Sequence, residues 1–345
     1  KLFEFEGRDE PATISGVVLS DKSIWTWVTG DQHLSNFGAW RNRRGDVVFS
    51  VNDFDEAAIY DFQIDVLRIA VSILSHAKTN GFSATDVDII LKEFTNSYVR
   101  TVKSYVGNEN ALLFELTKRT CFGRLREFIL DVESKDSTGK QLRKFTTTHG
   151  GTRTRQFIKG PDIDVPHHHT RLAPVHDYRE KQIRDAFTST KYGATMMYLG
   201  WAVPEWDPVF FTVLDVAARI GSGIGSYGVN RYYVLLQGTD KLLDEGEGGA
   251  IILDVKYEPA GAVNWVLSLD EKARYNVMFA NEADRVVHAQ RHLTSYVDPY
   301  TGWIYLPDKQ GNNRPFYVRQ RSPWKEDPDL DAITNLEDFV EFMMQ

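Results

Sequence analysis

Two acidic motifs stand near the front of the sequence, Gly30-Asp31-Gln32-His33-Leu34-Ser35-Asn36 and Asn52-Asp53-Phe54-Asp55-Glu56. Much later come the glycine-rich stretch Gly223-Ile224-Gly225-Ser226-Tyr227-Gly228 and Lys256, at the end of the run Ile251-Ile252-Leu253-Asp254-Val255. Phosphoryl transfer asks little covalent chemistry of a protein. It needs a carboxylate to orient the attacking hydroxyl, oxygen ligands for Mg²⁺, and cationic clamps on the phosphates. Asp31 and Asn36 have the Asp-x₄-Asn spacing of a kinase catalytic loop, with Asp31 as candidate base and Asn36 as candidate metal ligand. Asp53 is the candidate second ligand, and Asp55 adds charge suited to a further ion.

A Gly-x-Gly-x-x-Gly stretch opens a helix in a dinucleotide fold but joins two strands in a kinase. Here Arg231-Tyr232-Tyr233-Val234-Leu235-Leu236 follows, aromatic and β-branched with no helix cap, which favours strand–loop–strand. Gly223, Gly225, Ser226 and Gly228 are then candidate phosphate contacts, and Lys256 the clamp on the α- and β-phosphates. Glu282, Glu258 and Glu271 are candidate partners for that lysine. These are the parts of an ATP site in the reverse of the usual order.

Each part has a blander reading. Asp and Asn stabilise turns, and a glycine hairpin can precede a solvent lysine. Gly-Asp-x-His also occurs in two-metal phosphoesterases, but their later Gly-Asn-His-Asp/Glu element is absent. His167-His168-His169 sits in a polar, loop-like stretch and reads as exposed.

The elements that must position these residues follow from pattern. Ile24 to Thr29 and Asp46 to Val51 are β-rich and feed the two acidic motifs. Ile64, Leu67, Val71 and Leu74 have helical spacing, with Asp65 and Arg68 one turn apart, placed either to brace the Asp31 loop or to form a plain surface pair. Ser83 or Thr85 caps a further helix, and residues 111–130 read as mainly helical. Residues 132–175 are polar and read as a long flap. Beyond a boundary near residue 205, Phe210 to Ile220, Arg231 to Gln237, Ile251 to Lys256 and Pro315 to Gln320 read as strands of one sheet, with a helix around 280–295. The acidic, glycine-rich residues 238–250 read as a surface hairpin.

Composition bounds the answer. At 345 residues, 42% hydrophobic and 12% aromatic, the chain can build a large core. A net charge of −8 argues against a nucleic-acid backbone as partner, while a nucleotide can be neutralised locally. Cys121 is the single cysteine, so no internal disulfide forms, a reducing cytoplasmic setting is expected, and a small buried side chain is the favoured role. No apolar run is long enough to span a bilayer. The start, Lys1-Leu2-Phe3, lacks Met and a signal-type core, which suggests trimmed ends.

In order along the chain, Phe3-Glu4-Phe5-Glu6-Gly7, both acidic motifs with Phe37-Gly38, Asp65-Val66-Leu67-Arg68, the glycine stretch and Val255-Lys256 form one pattern. It continues through Arg285-Val286-Val287, Gln290-Arg291 and Tyr317-Val318-Arg319-Gln320. This pattern resembles the uncharacterised, mainly bacterial domain-of-unknown-function 2252 family. The acidic motifs also resemble those of the aminoglycoside-phosphotransferase-like branch of the kinase-like superfamily. That second resemblance implies a carboxylate base at Asp31 and metal ligands at Asn36 and Asp53, and names no substrate. Glu6 stands where Arg is common, a later histidine- and alanine-rich helix is missing, and Phe339 to Met344 looks like a helix cut short.

The expectation is an α+β, two-lobe kinase-like fold, circularly permuted. Residues 1–205 form a helical catalytic lobe, 206–320 a β-rich nucleotide lobe, and 321–345 a return to the first. Phe316 to Gln320 is the hinge strand, with the backbone of Val318 and Gln320 facing adenine. The expected activity is ATP- and Mg²⁺-dependent transfer to a small-molecule hydroxyl, or nucleotidyl transfer on the same fold. A nucleotide-binding pseudokinase or interaction module is the alternative from another class.

Overall fold

The computed structural model describes residues 13–14, 17–18, 21, 24–148, 155–199, 208–221, 228–238 and 249–345. The fold is mixed α+β. Thr13–Ile14 (β1) pairs with Val17–Val18 (β2). Thr26–Val28 (β3) pairs antiparallel with Ala58–Tyr60 (β6), and between them Phe37–Arg41 (β4) and Val47–Val51 (β5) form a hairpin. Each acidic motif thus follows a strand, as the β-type runs before Asp31 and Asp53 lead one to expect.

Helices Gln63–Thr79 (α1) and Ala84–Ser104 (α2) come next, and Ser83 caps α2 in a reciprocal capping box with Asp86. The helical period of α1 is as expected, but its buried face is not. Leu67 and Val71 are 42% and 57% exposed, while Ser72, Ile73 and Ala77 turn inward. Residues 111–130 are less helical than their composition suggests. They give Leu116–Thr117 (β7), which extends the β4–β5 ladder, before Gly123–Lys135 (α3). Ile73, Ile90, Leu125 and Ile129 close a core with Phe339 and Phe342 of a C-terminal helix described below. Cys121 is buried against this core, and burial pushes its thiol up to about 11, which disfavours the thiolate.

Residues 132–175 are not the polar excursion their composition suggests. Thr138–Phe145 (α4), Thr146–Thr148 (β8), Arg155–Phe157 (β9) and Leu172–Ala173 (β10) bury Leu142, Phe145, Phe157 and Leu172 against Tyr233, Leu235 and Ile252. A few well-spaced apolar residues suffice because the sheet supplies the rest of the surface. Asp177–Ala186 (α5) and Tyr192–Tyr198 (α6) follow, and the expected boundary near residue 205 lies outside the described residues.

Val213–Arg219 (β11), Arg231–Leu236 (β12) and Ile251–Tyr257 (β13) lead into Leu269–Met278 (α7) and Glu282–Leu293 (α8). Gly302–Pro307 (β14), Asn313–Gln320 (β15) and Leu336–Met343 (α9) complete the chain. Among the described residues the main sheet is antiparallel, in the order β10-β11-β12-β13-β15-β14. All four strands expected to share one sheet do so. Residues directly opposite in an antiparallel ladder share a face. Register therefore places Arg231, Lys256 and Tyr317 in one cross-strand row, and Tyr233, Asp254 and Arg319 in the next row of the same face. The Tyr317 hydroxyl donates to Gln290 Oε1 at 2.5 Å, so α8 lies on this face. The opposite face carries Gly302, where an added Cβ would meet Thr195 Oγ1 at 2.8 Å, so α6 covers that side.

Candidate functional site

The two acidic motifs touch. Gly30 has φ +81°, and a Cβ there would stand 2.2 Å from the Glu56 carbonyl oxygen, so only glycine permits the β3 and β6 ends to close together. Asp65 accepts from the Thr29 and Gly30 amides at 2.7 and 3.0 Å. Burial pushes the Asp65 carboxyl upward, against the pull of those bonds. Arg68 Nε donates to Asp31 Oδ1 at 3.1 Å, and His33 Nε2 lies 3.6 Å from Asp31 Oδ2. Asp65 and Arg68 brace the loop as their spacing suggested.

The Asn36 amide donates to the Asp31 carbonyl at 2.7 Å, and the Asn52 amide donates to the Asn36 carbonyl at 2.9 Å. This ladder sets Asn36 beside the residue that precedes Asp53. Two arginines then fix the Asp53 turn. Arg319 donates to the Asn52 carbonyl at 2.6 Å. Arg285, 1% exposed on α8, donates to the carbonyls of Asp55, at 2.8 Å, and Ala57.

Lys256 is 9% exposed and its ammonium is ion-paired with Asp55. This corrects one expectation. The partner of Lys256 is none of the three glutamates: Glu282 holds Arg285 at 2.7 Å, and Glu271 accepts from Ser268 to cap α7. Asp55, the candidate ligand for a further ion, faces the lysine ammonium. Glu258 shares the face of Lys256 two residues on, buried with no hydrogen bond to its Oε1. Burial raises its carboxyl to about 7, opposed by Lys256 and Arg285.

Asp53, Asp55 and Lys256 line one small cavity of about 70 Å³, together with Arg231, Asp254 and Arg319. Burial would raise Asp254, but Arg231, donating from Nε at 2.7 Å, holds it down at about 2. A larger cavity of about 360 Å³ shares Asn52, Arg231, Asp254, Arg319 and Lys325 with this corner and reaches Gly221 and Gln320.

Other expected site residues lie apart. Asp31 lines a separate cavity of about 360 Å³ walled by Val28, Tyr60, Ile64 and Val263. Val318 is fully buried, flanked by both β13 and β14, and the Gln320 amide donates to Asp298, so neither amide is turned to a base. The physical reason is position, since β15 is interior to the sheet. Gly228 has φ +80° and open space around its missing Cβ; Gly223, Gly225 and Ser226 lie outside the described residues. His167, His168 and His169 stack on one another, and no group of three or more His, Cys, Asp or Glu side chains is arranged to hold a metal among the described residues.

Arg231, Asp254 and Lys325 were missed as site residues. The available signal was a charged side chain inside an otherwise apolar strand, at Arg231 and Asp254, where an unpaired charge is too costly to be decoration. Arg285 and Arg319 had been noticed only as parts of motifs.

The chain belongs to a family of uncharacterised proteins conserved in bacteria, domain of unknown function 2252, whose family model matches residues 13–344. No curated protein and no solved structure matches it. Among the described residues no helix is long and apolar enough to cross a membrane.

Proposed function

We propose that the chain is an ATP- and Mg²⁺-dependent phosphotransferase acting on a small-molecule hydroxyl, on a kinase-like fold with circularly permuted lobes. The observation that carries this reading is the shared cavity. Lys256 and Asp53 come from distant parts of the chain and line one space, with Lys256 paired to the same acidic turn. The order β11, glycine-rich stretch, β12, β13 with Lys256, α7, then α8 supports this reading, since a kinase runs glycine loop, lysine strand and then αC helix.

The Asp53 carboxylate lines the cavity, and Asn36 is tied through its carbonyl to the Asn52 backbone amide next to Asp53; these two side chains would supply the oxygens Mg²⁺ needs when water and phosphate complete its shell. A bound Mg²⁺ supplies charge neutralisation on the transferring phosphoryl group. Lys256 clamps the phosphates, and Asp31, held by Arg68, orients the acceptor hydroxyl. The apolar cavity beside Asp31 is then the acceptor's place.

A second reading, nucleotide binding without transfer, draws on one observation: Asp31 lines a different cavity from Asp53 and Lys256. ATP consumption measured against a panel of hydroxyl-bearing metabolites separates the two. Turnover with at least one acceptor is expected. A parent protein that binds Mg·ATP yet transfers phosphate to no acceptor and not to water leaves the binding-only reading.

A further inference from the structure

The larger cavity opens beside the Lys256–Asp53 corner, and that corner does not account for its charge. In a chain of net charge −8, six cations line it, Arg41, Arg219, Arg231, Arg319, Arg321 and Lys325, against three carboxylates, Asp254, Asp298 and Asp327. Asp254 is spent on Arg231. Asp298 accepts from the Tyr300 and Gln320 amides, and burial pushes its carboxyl up to about 6.

The remaining cations have partners that satisfy N–H geometry without cancelling charge. Arg319 donates to the Asn52 carbonyl at 2.6 Å and Arg219 to the Ile220 carbonyl at 2.7 Å. Arg41 lies over Trp324 at 4.5 Å and Arg321 over Phe145 at 4.4 Å. Burial, then repulsion from Arg319 and Arg231, lowers Lys325 to about 8, against the pull of Asp254 and Asp327. A half-enclosed site with surplus positive charge is where an anion gains most. An adenine ring asks for the opposite, mainly apolar walls.

We propose that this cavity is a built subsite for a multiply charged oxyanion of the phosphate class. The group is carried either by the nucleotide's own terminal phosphates or by a phosphorylated acceptor. Only the choice between those sources rests on the phosphotransfer reading; the charge balance stands alone.

The test is calorimetric titration of the full chain with pyrophosphate, without Mg²⁺ or nucleotide. Parent binding is expected, weakened at least about tenfold by Lys325→Met and by Arg219→Gln, which lines the larger cavity alone, and by a smaller factor by Lys256→Met. Melting curves check each variant's fold, and Arg219→Gln carries the test should Lys325→Met fail to fold. Mg·ATP titrations then separate the sources. Parallel loss of ATP affinity in Lys325→Met, with pyrophosphate competing, assigns the subsite to the nucleotide. Unchanged ATP affinity, with pyrophosphate bound alongside, assigns it to a phosphorylated acceptor. No binding by the parent, or loss in Lys256→Met but not in Lys325→Met, overturns the subsite, and the latter result leaves the Lys256 corner and its proposed function standing.

Discussion

Asp31 and Glu258 each make a claim testable on a single side chain. Asp31 stands apart from the corner proposed to bind phosphate, braced by Arg68, so its proposed work is on the acceptor alone. Asp31→Asn should retain Mg·ATP binding in a titration yet lose transfer by roughly 10²-fold, the scale of a general base. Equal loss of both would place Asp31 in the nucleotide site. Glu258 sets a pH dependence. Burial raises its carboxyl from 4.5 to about 7, so between those values the folded protein holds a proton that the unfolded chain has released. Stability therefore falls as pH rises through that window, and Asp298, raised by burial to about 6, acts in the same direction. Glu258→Gln removes its share of the slope. The melting temperature of the variant should gain on the parent between about pH 5 and pH 7.5, whereas parallel curves would show that the carboxyl is not titrating in the fold.

At the scale of elements, two close contacts hold the site together. Gly30→Ala forces a Cβ onto the Glu56 carbonyl at a positive φ, and should cost at least about 2 kcal/mol in denaturant titration. Arg285→Ala strands the Asp55 and Ala57 carbonyls, at a cost on the order of 3 kcal/mol, and should loosen the Asp53 turn. A melting temperature near the parent's would deny either contact its role. Much of this frame was legible in the sequence. Alternating and β-branched runs marked the sheet strands, and Ser83 marked the start of α2 through a local capping rule. What local pattern could not carry was tertiary. The direction of α1 depends on which neighbours cover it, so the spacing of Leu67 and Val71 marked a helix, while both side chains are exposed. Residues 132–175 looked polar because the sheet supplies most of their apolar surface. That Asp53 and Lys256 face one cavity was legible from motif spacing. The partner of Lys256 was not, because ion pairing depends on where a turn lands rather than on separation in sequence.

Across the whole molecule, the central idea is that one nucleotide site is assembled from an acidic turn early in the chain and a lysine strand late in it. The sheet face that carries Lys256 also carries Arg231, Asp254 and Arg319, and α8 pins the acidic turn against it through Arg285. Sheet and turn therefore form one structural unit. The most direct measurement is calorimetric titration of ATP, with and without Mg²⁺, into the parent and Asp53→Asn. Parent affinity should rise at least about tenfold with Mg²⁺, and that gain should vanish in Asp53→Asn because a neutral amide is a poor match for a hard cation. A parent that binds ATP equally with and without Mg²⁺, or an Asp53→Asn variant that keeps the full gain, would contradict a shared Mg·ATP site at Asp53 and Lys256.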